Sequence, residues 1–175
     1  ERDAMFQLTD LFSLFHIRFV ATGNGQDEHF WSKLAGKGQM TSWSSYAFEQ
    51  VCLHHLNQIK KSLSIGGVIS NAHSWSCKSF TDKNGTQWKG AQIDLLIDRA
   101  DEVINICEIK YVSDKYVIDA DYEEKLRNRS SLFRLLTKTN KSIHHTFITT
   151  YGIAHNLHTG IVQSEVTMDD LFVLS

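Results

Sequence analysis

Two apolar stretches, Ala91 to Asp98 and Val103 to Tyr111, are separated only by a short turn around Arg99-Ala100-Asp101, and this spacing constrains the chain more than any other feature. Both read as β-strands, and a connection that short makes them antiparallel neighbours. A third β-like segment, Val68 to Phe80, precedes them across the turn signal Lys83-Asn84-Gly85, so an antiparallel meander is the simplest arrangement. Upstream, Phe48, Val51, Cys52, Leu56, Ile59 and Leu63 fall at helical spacing, which predicts a helix from Tyr46 to about Leu63, ended by Gly66-Gly67. Downstream, a second helix is expected over Asp121 to Lys138. It starts acidic with Asp121, Glu123 and Glu124 and turns basic with Arg127, Arg129, Arg134 and Lys138, matching the helix dipole. Two further β-like stretches, His144 to Tyr151 and Ile161 to Val166, flank a turn around His155 to Gly160. The order α-β-β-β-α-β predicts an α/β fold with a central mixed sheet flanked by helices.

At 175 residues the chain can bury one good core, so one domain with an appendage is expected. Met5 to Val20 reads as a Phe-rich docking helix capped by Asp10, burying against a neighbouring domain or a second copy. Residues 21 to 45, rich in Gly and Ser, read as a loop or hinge, and the boundary falls near Trp43: residues 1–42 form the appendage and 43–175 the main domain. The first residues lack an initiator Met, which suggests a piece of a longer polypeptide. No stretch of about 18 apolar residues exists to cross a bilayer. Cys52, Cys77 and Cys107 are odd in number and form no CxxC pair, so neither a disulfide framework nor a zinc knuckle is indicated and the cytoplasm is the expected setting. The histidine pairs His54-His55 and His144-His145 lack a ligand spacing for zinc. A net charge of -2 gives no global attraction to polyanions, so any nucleic-acid contact needs a locally basic surface.

Charged groups inside the apolar strands carry the chemistry. Strand alternation puts Gln92, Asp94 and Leu96 on one face, with Ala91, Ile93, Leu95 and Ile97 on the other, and groups Ile104, Ile106, Glu108 and Lys110 on one face of the next strand. Asp94 and Glu108, on adjacent strands, suit a hard cation such as Mg²⁺ or Mn²⁺. With a metal-activated water, Lys110 would orient the nucleophile and stabilise developing charge in phosphodiester hydrolysis, and Glu49 could bind the ion through water or hold a second one. Gln92 and Tyr111 flank the site as candidate substrate contacts. Arg127, Arg129, Arg134 and Lys138 could grip phosphates, although a plain solvated helix would show the same basic half. The alternative for Asp94, Glu108 and Lys110 is a cross-strand salt-bridge cluster.

Gly90-Ala91-Gln92-Ile93-Asp94, then Cys107-Glu108-Ile109-Lys110, preceded by a helix bearing Phe48-Glu49, resembles the PD-(D/E)XK (restriction-endonuclease-like) nuclease superfamily. More narrowly, Trp43 through Phe172 is similar to the C-terminal domain of bacterial and archaeal AAA-type ATP-binding proteins. The residue before Asp94 is Ile93 where the superfamily name has proline. The resemblance implies Asp94 and Glu108 as metal ligands, Lys110 as the catalytic lysine, Glu49 as the helix-borne acid, and DNA as substrate. It also implies an N-terminal AAA ATPase domain in the same polypeptide, because no GxxxxGK[ST] loop occurs here. A nuclease fold retained only for docking, dimerisation or DNA binding is the alternative.

Overall fold

The computed structural model describes residues 10–21, 27–34 and 38–173. They fall into two compact units, divided between Val51 and Cys52.

In the first unit, Asp10 caps helix α1 (Leu11–Phe15) by accepting from the Ser13 N–H at 2.7 Å, and one π-helical turn (His16–Val20) continues it. Residues 1–9 lie outside the described residues, so the expected helix is seen only from its cap onward. Composition suggested a loop over 21–45, but α2 (Phe30–Leu34) and the start of α3 (Gly38–His54) occupy much of it. Aromatic packing overrides the weak helix propensity of Gly and Ser here. Phe19 and Met40 are buried with Phe15, Phe30 and Trp43 around them, and Phe19 meets Trp43 edge-on at 5.5 Å.

The second unit begins in the last turn of α3. The single helix expected over 46–63 is two, since the chain breaks at His55 before α4 (Leu56–Ser62). Five strands then form one sheet: β1 (Ser70–Cys77), β4 (Ala91–Arg99), β5 (Val103–Lys110), β7 (Ser142–Thr149) and β9 (Val162–Thr167). Their spatial order is β1-β4-β5-β7-β9, and two short strands outside this sheet, β6 (Tyr116–Val117) and β8 (Ile153–Ala154), pair in parallel with each other. The first three make the antiparallel meander, while β7 and β9 join in parallel, so the sheet is mixed. Helix α5 (Ala120–Thr137) supplies the crossover from β5 to β7. Asp119 caps it by accepting from the Tyr122 N–H at 2.8 Å, and Lys138 closes it in the left-handed region.

Strand β5 is buried along nearly its whole length, as a central strand covered on both faces should be. On one face Ile93, Leu96, Ile104 and Ile106 pack with Phe133 of α5, and Trp75 meets Phe133 edge-on at 5.2 Å. Farther along α5, Leu126 joins Phe147, Ile153 and Ile161. A small hairpin, β2 (Phe80–Thr81) with β3 (Gln87–Trp88), interrupts the path from β1 to β4. Asp82 organises its turn, accepting from the N–H groups of Asn84 and Thr86 and from Trp88 Nε1. At the hairpin's exit Gly90 passes so close to β1 that a Cβ would lie 2.7 Å from the Cys77 carbonyl oxygen.

Candidate functional site

The β4–β5 register brings Asp94 and Glu108 to one place. Pairing runs Asp98 with Ile104, Ile97 with Asn105, Leu96 with Ile106 and Leu95 with Cys107, so Asp94 and Glu108 are the next residues along two neighbouring strands. A β-bulge sits at this point. Toward β1, His73 pairs with Leu96 but Trp75 with Ile93, so Asp94 and Leu95 together oppose Ser74. Strict alternation predicted Ile93 and Leu96 on opposite faces. The extra residue brings both into the core cluster beneath α5.

Glu108 is only 4% exposed, so its charge must be compensated nearby. Helix α5 and β5 supply the compensation. The Arg129 guanidinium pairs with Glu108 Oε1, the Tyr122 hydroxyl donates to Oε2 at 2.7 Å, and Lys110 Nζ stands 3.7 Å from Oε2. Lys110 also lies 5.5 Å from the centre of the Tyr122 ring, within cation–π range. Burial, then Tyr116, then the charge of Asp94 pushes the Tyr122 phenol up, which keeps it a protonated donor. Burial lowers the Arg129 pKa while Asp94 raises it, so both acids of the pair act on this one guanidinium. Gln92 Nε2 donates to Asp94 Oδ1 at 2.9 Å and holds that carboxylate.

A cleft of about 890 Å³ opens beside Asp94, between the exit of the β2–β3 hairpin and one flank of α5. Trp88, Lys89 and Gln92 line one side, with Lys125, Asn128 and Arg129 on the other. Among the described residues no group of three or more His, Cys, Asp or Glu side chains gathers to hold a metal. Two carboxylates alone fit a Mg²⁺-type ion, which keeps several waters and takes one or two protein carboxylates, better than an all-protein cage. Any cation at Glu108 must share that carboxylate with Arg129 and Tyr122.

Of the residues singled out from sequence, Gln92, Asp94, Glu108 and Lys110 come together here. Glu49 is half-buried on α3, within the first compact unit. Tyr111 is 42% exposed just past β5, and Arg127 and Arg134 lie exposed on the other flank of α5 from the cleft. Sequence reasoning missed Tyr122 and misread Arg129, taking it for one of several surface cations. The available signal was helical spacing: Tyr122, Leu126, Arg129 and Phe133 form one stripe on α5, and two polar groups within an apolar stripe need a buried partner. Among the described residues no helix is long and apolar enough to cross a membrane. The chain matches no protein-family model, no curated protein and no solved structure.

Proposed function

We propose that this chain carries a metal-dependent site for phosphodiester hydrolysis of DNA, built on a PD-(D/E)XK-like core. The observation that carries the reading is that Asp94 and Glu108, on neighbouring strands, both act on the Arg129 guanidinium, with Lys110 following Glu108 on β5 and a cleft of about 890 Å³ opening beside Asp94. Asp94 and Glu108 would hold Mg²⁺ or Mn²⁺, and the bound ion would lower the pKa of a water and neutralise phosphoryl charge. Lys110 orients the nucleophile and stabilises negative charge as it develops. Gln92 and Tyr122 fix the two carboxylates through the hydrogen bonds they donate. Tyr111, Arg127 and Arg134 offer contacts for the nucleic acid beyond the reacting phosphate. An N-terminal AAA ATPase domain of the same polypeptide would supply nucleotide binding, and a cytoplasmic setting and homodimer formation belong to the same reading.

One observation favours the alternative, a nuclease-like fold kept as a docking, dimerisation or DNA-binding module. Glu108 already engages Arg129, Tyr122 and Lys110, which a purely structural ion cluster would also do. Thermal unfolding across a Mg²⁺ or Mn²⁺ titration separates the two readings. A catalytic site gives a saturable rise in Tm that Asp94→Asn removes. No rise in the parent chain, or an equal rise in Asp94→Asn, overturns the metal-site reading.

A further inference from the structure

A second cavity, of about 490 Å³, lies on the opposite flank of α5 from the cleft beside Asp94, against β7 and the start of β9. Arg127, Ser130, Ser131 and Arg134 from α5, His145 from β7 and Gln163 from β9 give it its polar lining, the Ser131 hydroxyl donating to the Arg127 carbonyl, and no carboxylate is among the residues that line it. The hydrogen bonds already made there determine what each group has left to offer. Gln163 Oε1 accepts from the His145 backbone N–H at 2.6 Å, which fixes the amide and leaves its NH₂ as a donor. Arg134 gives one N–H to the Lys141 carbonyl at 3.1 Å and keeps the remainder of its fork.

His145 is 4% exposed, its Nε2 lies 2.8 Å from Ser130 Oγ, and its Nδ1 is buried with no hydrogen-bond partner. A buried N–H without an acceptor is the costlier of the two tautomers, so the ring proton belongs on Nε2, donating to Ser130 Oγ. Ser130 is thereby occupied as an acceptor and its own O–H is left to donate. Burial, with Arg129 and Arg127 nearby, lowers the His145 pKa to about 4, so the ring is neutral near pH 7 and has a single proton to place. Arg127 is partly neutralised, because its Nε and Nη2 both meet Glu123 Oε1, but it still adds positive charge at the rim.

We propose that this cavity is a phosphate-binding subsite, in which the Arg134 guanidinium, the Gln163 amide and the Ser130 hydroxyl donate to one tetrahedral phosphate group at the Arg127 rim. A lining of donors without a carboxylate matches a group that has only acceptors and negative charge. The phosphate is either free or part of a nucleic-acid backbone. The subsite shares Arg127 and Arg134 with the proposed nucleic-acid surface and requires neither Asp94 nor Glu108, so its test reads binding and not cleavage.

Calorimetric titration of the full chain with inorganic phosphate, and with a short single-stranded oligonucleotide in the presence and absence of phosphate, tests the proposal. Gln163→Glu keeps the acceptor that His145 N–H needs while replacing the donor with negative charge, and Arg134→Gln removes charge from an exposed side chain. Saturable phosphate binding, weakened at least tenfold in both variants, supports the subsite. Competition between oligonucleotide and phosphate assigns it to a nucleic-acid backbone, and phosphate binding without competition assigns it to a free phosphate. Failure of the folded chain to bind phosphate saturably, or binding that both variants leave unchanged, overturns it.

Discussion

The Tyr122 hydroxyl on α5 reaches down to Glu108 Oε2 on β5 at 2.7 Å, and Arg129, two helical turns farther along the same stripe, takes the other carboxylate oxygen. One helix face thus holds both oxygens of an acid that would otherwise be buried beside Asp94 with too little compensation. Tyr122→Phe removes one hydrogen bond to a charged group and should lower stability by about 1.5–3 kcal/mol in urea denaturation. Arg129→Met removes the direct ion pair and leaves the buried Glu108 only Tyr122 and Lys110, which should cost about 3–5 kcal/mol, while adding Glu108→Leu to Arg129→Met should recover much of that loss. If the double variant is no more stable than Arg129→Met, the two residues are not coupled as the geometry requires.

Gly90 lets the hairpin's exit cross β1 within backbone contact distance, and the obstruction a Cβ would meet is the Cys77 carbonyl, which cannot rotate away. Gly90→Ala should therefore cost about 1–3 kcal/mol. Because the crossing leads directly into the bulge at Asp94, the same change should alter the chemical shifts of Gln92 and Asp94 more than those of β7. A variant as stable as the parent, with those shifts unmoved, contradicts the close approach.

His145 makes stability depend on pH. Its pKa in the fold is about 4, against 6.5 when solvated, so between those values the unfolded chain binds more protons and stability rises with pH. The contribution is complete above about pH 6.5 and is lost as pH falls toward 4, amounting to about 3 kcal/mol. Urea midpoints measured from pH 7 to pH 4 should fall less steeply in His145→Gln than in the parent. Parallel curves for the two proteins would mean that the ring is not held neutral.

The meander, the helix after it and the two strands that follow were legible because each rests on a local signal: apolar runs of strand length, turn residues between them, and a helix that runs from acidic to basic. The grouping of Gln92, Asp94, Glu108 and Lys110 was legible as polar residue types within apolar strands. What local pattern could not supply was the extra residue opposite Ser74, since a bulge is defined only by the partner strand. The inward turn of Arg129 was hidden for a similar reason. In sequence it stands among Arg127, Arg134 and Lys138, and only the packing of α5 on β5 separates it from those surface cations. The helices at 30–34 and from 38 were hidden by their Gly and Ser, whose weak propensity is offset by the aromatic cluster around Phe19.

Nicking of supercoiled plasmid with Mn²⁺ or Mg²⁺, comparing the parent chain with Lys110→Ala and Asp94→Asn, tests the central claim most directly. Metal-dependent nicking is expected, and each substitution should reduce it by at least about 100-fold, as when a positioned charge or ligand is lost from a catalytic site. Absence of nicking by the folded parent chain in either metal, or nicking that persists in both variants, would contradict it.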